Sequence, residues 1–254
     1  MNFEPTAALF FVLFAVGLMA GFVDSIAGGG GLIALPVLLS LGLPPAMALG
    51  TNKLQGTFGS LFAALHYRAA GLVKFRQTIF GIMTTSLGAL CGTLMVQKLD
   101  NSILKMVVPG LLFLIFLHVL FSPKIGDQDR HSLLSKNVFY LAFGFGLGFY
   151  DGFFGPGVGS FWAIALVTFL GLNLKSATAH TKTMNFISNI VSLAAFMFGG
   201  QIFYKVGFTM AAGQLVGASL GSRLVISKGT RLIRVFYLCV VVVTFSKMIY
   251  SLFY

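Results

Sequence analysis

A glycine-rich stretch around one aspartate occurs twice in this chain and most constrains how it can fold. The first copy, residues 21–31, reads GFVDSIAGGGG, and the second, residues 148–159, reads GFYDGFFGPGVG. Their aspartates, Asp24 and Asp151, are two of only six acidic residues in the chain. Consecutive glycines interrupt a regular helix, because each costs about 1 kcal/mol relative to alanine. The sequence therefore predicts the same acid and the same backbone break once in each half.

The composition places most of the chain in a lipid environment. Hydrophobic residues make up 57% of the 254 residues and charged residues only 9%, whereas a soluble domain is typically about 25% charged. The apolar runs are continuous and lack the alternation of a membrane-spanning strand. These features predict an all-α polytopic membrane protein. Glu4 and the lack of an early Lys or Arg favour a retained first span over a cleaved signal peptide.

The apolar runs and their breaks predict two repeats with short glycine-broken helices and about 8–10 membrane segments in all. The predicted segments are 7–27, 32–43, 44–67, 78–96, 103–121, 138–154, 160–172, 176–198, 206–224 and 233–253. The aspartate motif recurs with an offset of 127 residues, from Asp24 to Asp151, and Lys53 recurs at Lys182 with an offset of 129. We therefore divide the chain into a first repeat (1–122), a polar connecting loop (123–137) and a second repeat (138–254).

The basic residues in the loops predict an orientation. Alternating crossings place eleven of them on one face and four on the other, and the richer face is expected in the cytoplasm. The richer face holds Arg68, Lys74, Arg76, Lys124, Arg130, Lys136, Lys175, Arg223, Lys228, Arg231 and Arg234, and the poorer face holds Lys98, Lys105, Lys205 and Lys247. Each half then has an odd number of crossings, which predicts two inverted repeats, a common plan of secondary transporters. We expect a multi-pass protein of the cytoplasmic membrane with both termini outside.

Several other functional classes find little support in the sequence. The formal charge is +11, but the basic residues are spread among short loops, which argues against nucleic acid as a partner. Cys91 and Cys239 lie in apolar runs, and no Cys and His stand at metal-ligand spacing, so we predict neither a metal site nor a cofactor. The glycine runs lack the Gly-Lys-Ser/Thr of a phosphate loop. No catalytic set is visible, and we predict no enzymatic activity.

Two lysines deep inside apolar segments mark a candidate substrate site. Lys53 lies in LGTNKLQ and Lys182 in AHTKTMNFISN. A charge in the bilayer interior costs at least a few kcal/mol, so it normally faces a cavity or a partner. The polar neighbours included in the candidate site are Thr51, Asn52, His180 and Asn185. For the two lysines, contact with substrate and a purely structural ion pair both remain open.

The glycine breaks supply the other part of the candidate site. A break leaves N–H groups without acceptors at the start of the next half-helix, and those groups attract anions. Such backbone is tolerated at membrane depth only beside protein or a water-filled cavity. The candidate donors are Gly28, Gly29, Gly30 and Gly31 in the first repeat and Gly155 and Gly157 in the second. Close packing between helices is the alternative role for these glycines.

Asp24 and Asp151 have two candidate roles. A buried carboxylate can take up and release a proton near neutral pH, which would couple transport to protons. Alternatively, each aspartate caps exposed N–H groups or pairs with a lysine. The sequence leaves both roles open.

Together, these motifs resemble the TauE/SafE sulfite-exporter family of bacterial membrane proteins. The likeness is carried by GFVDSIAGGGGLIALP at 21–36, GLPP at 42–45 and GTNK at 50–53, with a weaker copy at 148–159, His180, Lys182 and Asn185. In the weaker copy Pro156 and Val158 replace glycines, so the halves need not contribute equally. The resemblance implies a permease of the bacterial inner membrane for sulfite, sulfonates or related organic anions.

The leading hypothesis is a secondary transporter that moves a small anion by alternating access. An anion channel would use the same half-helices, and a membrane subunit of a larger complex without its own transport activity is a further alternative. The expected partners are the small anionic substrate, protons if an aspartate carries them, and the lipid bilayer. A homo-oligomer is compatible with the sequence.

Overall fold

The structure is a computed structural model that describes residues 7–73, 78–120 and 128–228. These residues form helices joined by short connections, which confirms the all-helical prediction for this part of the chain. The first half holds α1 (Ala7–Ala27), α2 (Gly30–Ser40), α3 (Pro45–Ala69), α4 (Ile79–Gln97) and α5 (Asn101–Leu120). The second half holds α6 (Lys136–Phe139), a π-helical turn (Tyr140–Gly144), α7 (Phe145–Phe153), α8 (Val158–Leu170), α9 (Leu174–Phe198) and α10 (Tyr204–Lys228). Predicted segment 233–253 lies outside the described residues.

The helix ends follow local sequence signals. Pro45 occupies the first turn of α3, where a missing N–H group costs nothing. Asn173 caps α9, because its side chain accepts a hydrogen bond from the Ser176 N–H at 2.9 Å. The sequence predicts that the second segment begins at residue 32, because all four glycines are expected to be non-helical. This start is two residues after the observed start of α2. In the structure α2 begins at Gly30, whose N–H donates to the Asp24 carboxylate at 3.3 Å.

Each glycine break turns the chain back along itself. Gly28 has φ +81° and Gly157 has φ +80°, left-handed values that cost other residues about 1–2 kcal/mol. After the first break α2 returns along α1, so that Leu13 and Leu38 lie in one buried cluster. After the second break α8 returns in the same way, and the ring centroids of Tyr150 on α7 and Phe161 on α8 are 5.4 Å apart. Each break is therefore the tip of a helical hairpin, α1–α2 in the first half and α7–α8 in the second.

The long helices of the two halves pack in matching pairs. α1 packs along α10, and its counterpart α7 packs along α4. Gly17 lies against the backbone of Met210 and Gly21 against that of Gln214, so α1 and α10 run in the same direction. Gly88 and Gly92 of α4 lie in the same order against the backbone of α7, so α4 and α7 also run in the same direction. Residues without side chains thus allow the closest helix approaches, as is usual between membrane helices.

α3 and α9 carry the two buried lysines and pack against each other in the middle of the bundle. Gly50 near the start of α3 lies against Phe196 near the end of α9. Ala63 near the end of α3 shares a buried cluster with Ala179 near the start of α9. The two helices therefore run in opposite directions, although they occupy the same place in their respective halves.

The outer surface of the bundle is apolar. α4 exposes large side chains three or four residues apart, which lie on one helix face; they are Ile79, Met83, Leu87, Leu90 and Leu94. Two described helices, Ala7–Ala27 and Ile79–Gln97, combine the length and the hydropathy that a membrane crossing requires. A continuous apolar face of this kind would be a liability in water but suits lipid.

Basic residues gather at one end of the bundle. Lys175 Nζ at the start of α9 donates to the Ile226 carbonyl near the end of α10 at 2.9 Å. The Arg130 N–H donates to the Gly171 carbonyl at 2.7 Å, which brings the polar connection to the same place. We call this the basic end; its described members are Arg68, Arg130, Lys136, Lys175, Arg223 and Lys228.

Candidate functional site

The tips of the two hairpins touch inside the bundle. A Cβ atom added at Gly28 would lie 2.6 Å from Gly159 Cα, and one added at Gly159 would lie 2.5 Å from Gly28 Cα. A Cβ atom at Gly31 would lie 3.2 Å from Cγ of Pro156. The two backbones can approach this closely only because neither carries a side chain at the contact. The glycine breaks of the two halves thus form one structural unit.

Each buried lysine pairs with the aspartate of the other half. Lys53 Nζ lies 2.5 Å from Asp151 Oδ1, and Lys182 Nζ lies 3.0 Å from Asp24 Oδ2. The lysine side chains are 1% and 0% exposed, respectively. Breaking such a buried pair from one side typically costs about 3–5 kcal/mol. The crossed pairs therefore tie α3 to the second hairpin tip and α9 to the first.

The two ion pairs have different surroundings. The Asp151 side chain is 3% exposed, and its Oδ2 accepts a hydrogen bond from Ser188 Oγ. Lys53 Nζ also donates to the main-chain carbonyl of Asp151 at 2.5 Å. The Asp24 side chain is 17% exposed, and beyond Lys182 its described partner is the Gly30 N–H. Asp24 is therefore the more accessible and less constrained of the two carboxylates.

A small polar void lies against both tips and both aspartates. Its volume is about 30 Å³, which is enough to hold a water molecule. Its lining residues are Asp24, Gly28, Gly31, Asn52, Lys53, Gly56, Asp151, Gly155, Gly157, Val158, Asn185, Asn189 and Gln214. With both ion pairs ionised, the two carboxylates and two ammonium groups give a formal charge of zero. We call this the central void.

Most of the residues predicted for the substrate site line the central void, but several lie elsewhere. Gly29 and Gly30 form the turn into α2, with Gly30 beside Asp24. Thr51 Oγ1 accepts a hydrogen bond from the Phe203 N–H at 2.9 Å and so holds the start of α10. Lys182 is not among the described lining residues, but it contacts one of them, Asp24. His180 lies at the basic end, in a separate cavity.

The sequence reasoning missed four lining residues, Gly56, Val158, Asn189 and Gln214, as members of the site. Gln214 carried a usable signal, because it is a lone amide inside a predicted apolar segment. Its Oε1 and the Oδ1 of Asn185 are buried without a hydrogen-bond partner among the described residues. Buried polar atoms are rarely left unpaired in native proteins, so these two acceptors add capacity for a ligand or a water molecule.

A family model provides the decisive comparison. The model described as sulfite exporter TauE/SafE matches residues 13–248, nearly the whole chain and both glycine motifs. The chain belongs to the sulfite exporter TauE/SafE family. The resemblance drawn from the motifs alone is thereby confirmed.

Relatives agree with the family assignment. A probable membrane transporter protein of Haemophilus influenzae is 50% identical over 240 residues, covering 94% of each chain. The probable membrane transporter protein YfcA of Escherichia coli K12 is 44% identical over 249 residues, covering 98% of this chain and 93% of its own. The probable membrane transporter protein YunE of Bacillus subtilis is 25% identical over 268 residues. No solved structure matches the chain.

The family and its members define the general class of this protein. It is a membrane protein and a probable membrane transporter, and the family and these relatives are described as transporters, not as enzymes. The apolar faces of the helices agree with a location in a membrane.

Proposed function

We propose that this protein is a secondary transporter that moves a small anion through the central void by alternating access. The observation that carries the proposal is the contact of the two hairpin tips, with crossed ion pairs around a polar void. The first turns of α2 and α8 begin at this void, and helix starts favour anions. A void of about 30 Å³ is far smaller than the roughly 300–1,000 Å³ of small-molecule sites, so binding of an anion requires the tips to separate.

The packing supports an arrangement of inverted repeats. α3 and α9 occupy the same place in their halves yet run in opposite directions, and the pairs α1–α10 and α7–α4 match each other. Inverted repeats around a midplane site are a common basis of alternating access. In this arrangement a movement of the α1–α2 hairpin with α10 would open the void to one side of the membrane. The equivalent movement of the α7–α8 hairpin with α4 would open it to the other side.

The charge balance of the site favours coupling to protons. The four ionised groups sum to zero, so an entering anion adds a negative charge to a buried neutral site, which is unfavourable. A proton on Asp24 would restore neutrality and release Lys182 to contact the anion. Asp24 suits this role better than Asp151, because its carboxylate is more exposed and lies farther from its lysine, at 3.0 against 2.5 Å.

The proposed location is the inner membrane of a bacterium, with the basic end in the cytoplasm. Six of the described basic residues lie at that end, whereas Lys98 and Lys205 lie at the other. The start of α1 lies at the end opposite the basic one, since α1 runs parallel to α10. Together with the positive-inside tendency of membrane proteins, this supports an N-terminus outside the cytoplasm.

The first test is uptake by proteoliposomes that contain the purified protein. Candidate substrates are sulfite, thiosulfate, sulfoacetate, taurine and short carboxylates, each offered with and without an imposed pH gradient. We expect one of these anions to enter at a saturable rate that increases with the gradient. Flux that follows only the membrane potential and does not saturate would favour an anion channel. No flux of any anion would favour a subunit without transport activity.

The variant Asp24→Asn tests the proton role. The amide keeps the size of the carboxylate but cannot carry the proton, so we expect the pH dependence of anion flux to disappear. Asp151→Asn is the matched comparison, and we expect it to lower protein stability more than it alters the pH profile, since Lys53 would lose its buried partner. A pH profile of Asp24→Asn that follows the wild type would leave Asp24 with only its structural role.

A further inference from the structure

A second cavity lies at the basic end, separate from the central void. Its volume is about 370 Å³, within the range of small-molecule sites. Four basic residues line it: Arg130, His131, Lys136 and His180. The hydroxyl groups of Ser132 and Ser135 contribute further hydrogen-bonding capacity. We call this the basic cavity; it has no role in the proposed transport through the central void.

The positive charge in the basic cavity is not neutralised by the described residues. No acidic residue belongs to its lining. The neighbouring Asp129 is already engaged, because its Oδ1 accepts hydrogen bonds from the N–H and the side-chain amide of Asn173 at 2.7 and 2.9 Å. The ion pairs found in the described part of the chain involve Lys53 and Lys182. Arg130 and Lys136, which both line the cavity, therefore have no ion-pair partner among the described residues.

His180 gives the basic cavity a hydrogen-bonding group of defined orientation. Its Nδ1 lies 2.9 Å from the Ser176 carbonyl, and because a carbonyl only accepts, Nδ1 must carry a hydrogen. The second ring nitrogen, Nε2, accepts hydrogen bonds when the ring is neutral and donates to an anion only when the ring is protonated. His180 precedes Asn185 of the central void by five residues of α9. Their separation along the helix axis is roughly 8 Å.

We propose that the basic cavity is a second anion-binding site, which takes a small oxyanion such as a sulfate, sulfite or sulfonate group. Arginine binds such groups through two parallel hydrogen bonds, and lysine contributes a point charge. A cleft lined by one sign of charge also raises the local concentration of the opposite ion. The site would hold an oxyanion at the basic end, about one and a half helical turns from the central void.

Cysteine chemistry tests this proposal without a transport assay. Ser132 is exposed and lines the basic cavity. We would place Ser132→Cys in a background with Cys91→Ser and Cys239→Ser and reconstitute the protein in nanodiscs. The measurement is the rate of modification by anionic, neutral and cationic methanethiosulfonate reagents; the neutral one controls for access. Sulfate, which does not react with these reagents, is the probe anion, with chloride at matched ionic strength.

We expect the anionic reagent to react faster than the cationic one at Ser132→Cys. Adding Arg130→Gln or Lys136→Gln should lower the anionic-to-cationic rate ratio roughly 30-fold each, because one unit charge at about 4 Å in water changes each rate about fivefold, in opposite directions for the two reagents. Lys205→Gln removes an exposed charge at the opposite end and should leave the ratio unchanged. Sulfate should slow modification by the neutral reagent, and chloride should not.

Two results would overturn the proposal. One is a rate ratio that neither Arg130→Gln nor Lys136→Gln changes, together with no protection by sulfate. The other is a loss of sulfate protection at position 132 in the double variant Lys53→Ala/Asp151→Asn. That loss would mean that sulfate protects the cysteine by binding in the central void and not in the basic cavity. Protection that survives in this double variant supports the second site whether or not the chain transports the tested anions.

Discussion

Replacing Lys53 with alanine should reduce anion flux at least about 30-fold, because truncating one partner of a buried charge pair costs about 2–5 kcal/mol. Lys53 lines the central void and contacts Asp151 through both its carboxylate and its main-chain carbonyl. The variant removes a positive charge from the site and leaves Asp151 buried without its partner. The measurement is uptake of the transported anion into proteoliposomes at equal protein content.

A loss of flux in Lys53→Ala has to be separated from a loss of folding. The double variant Lys53→Ala/Asp151→Asn removes both charges, and we expect its thermal unfolding midpoint to lie closer to the wild type than that of Lys53→Ala. Its flux should stay low, since the site still lacks the ammonium group. Lys205 is exposed at the end opposite the basic one, so Lys205→Ala should change neither the unfolding midpoint nor the flux. Wild-type flux in Lys53→Ala would remove this lysine from the mechanism.

The second large effect is expected from Gly159→Ala, which adds one methyl group at the contact of the hairpin tips. The new Cβ would lie 2.5 Å from Gly28 Cα, whereas carbon atoms in contact prefer about 3.5–4.0 Å. One tip must therefore move by roughly 1 Å, and a displacement of this size at a functional site can cost about 10²-fold in rate. Overpacking of this kind should also lower the free energy of unfolding by about 1–3 kcal/mol.

Gly146→Ala is the matched control for Gly159→Ala. Gly146 lies in α7 of the same hairpin, is exposed, and a Cβ added there would meet no atom within 4 Å. Alanine at this position should leave flux unchanged and increase stability by up to about 1 kcal/mol, because alanine favours the helix. Equal flux in the two variants would mean that the close tip contact serves packing and not transport.

The positions of the helices were accessible from the sequence, because they depend on local properties. The predicted first segment has the ends of α1, since an apolar run there meets consecutive glycines. The predicted segment 176–198 has the end of α9, where Gly199 and Gly200 follow an apolar stretch. The start of α2 was less accessible, because it depends on a hydrogen bond between Gly30 and Asp24.

The residues that form the site could be predicted from the sequence only in part. His180 stands two residues before Lys182, and this proximity in the chain suggested a shared site. Successive residues of a helix point about 100° apart, however, so neighbours in sequence do not share a face. In the structure Lys182 pairs with Asp24, whereas His180 lines the basic cavity. Gln214 shows the opposite case, since it lines the central void from a helix in which the sequence predicted no site residue.

Local chemistry was sufficient to identify a helical membrane protein with a duplicated motif, two buried acids, two buried lysines and two backbone breaks. Hydropathy, charge count and glycine content are properties of short stretches of sequence, so the sequence alone is enough to determine them. The pairing of Lys53 with Asp151 and of Lys182 with Asp24, and the contact of Gly28 with Gly159, depend on how helices far apart in sequence pack together. Residue spacing carries no information on that packing, and therefore only the folded arrangement of the helices reveals which acid meets which base.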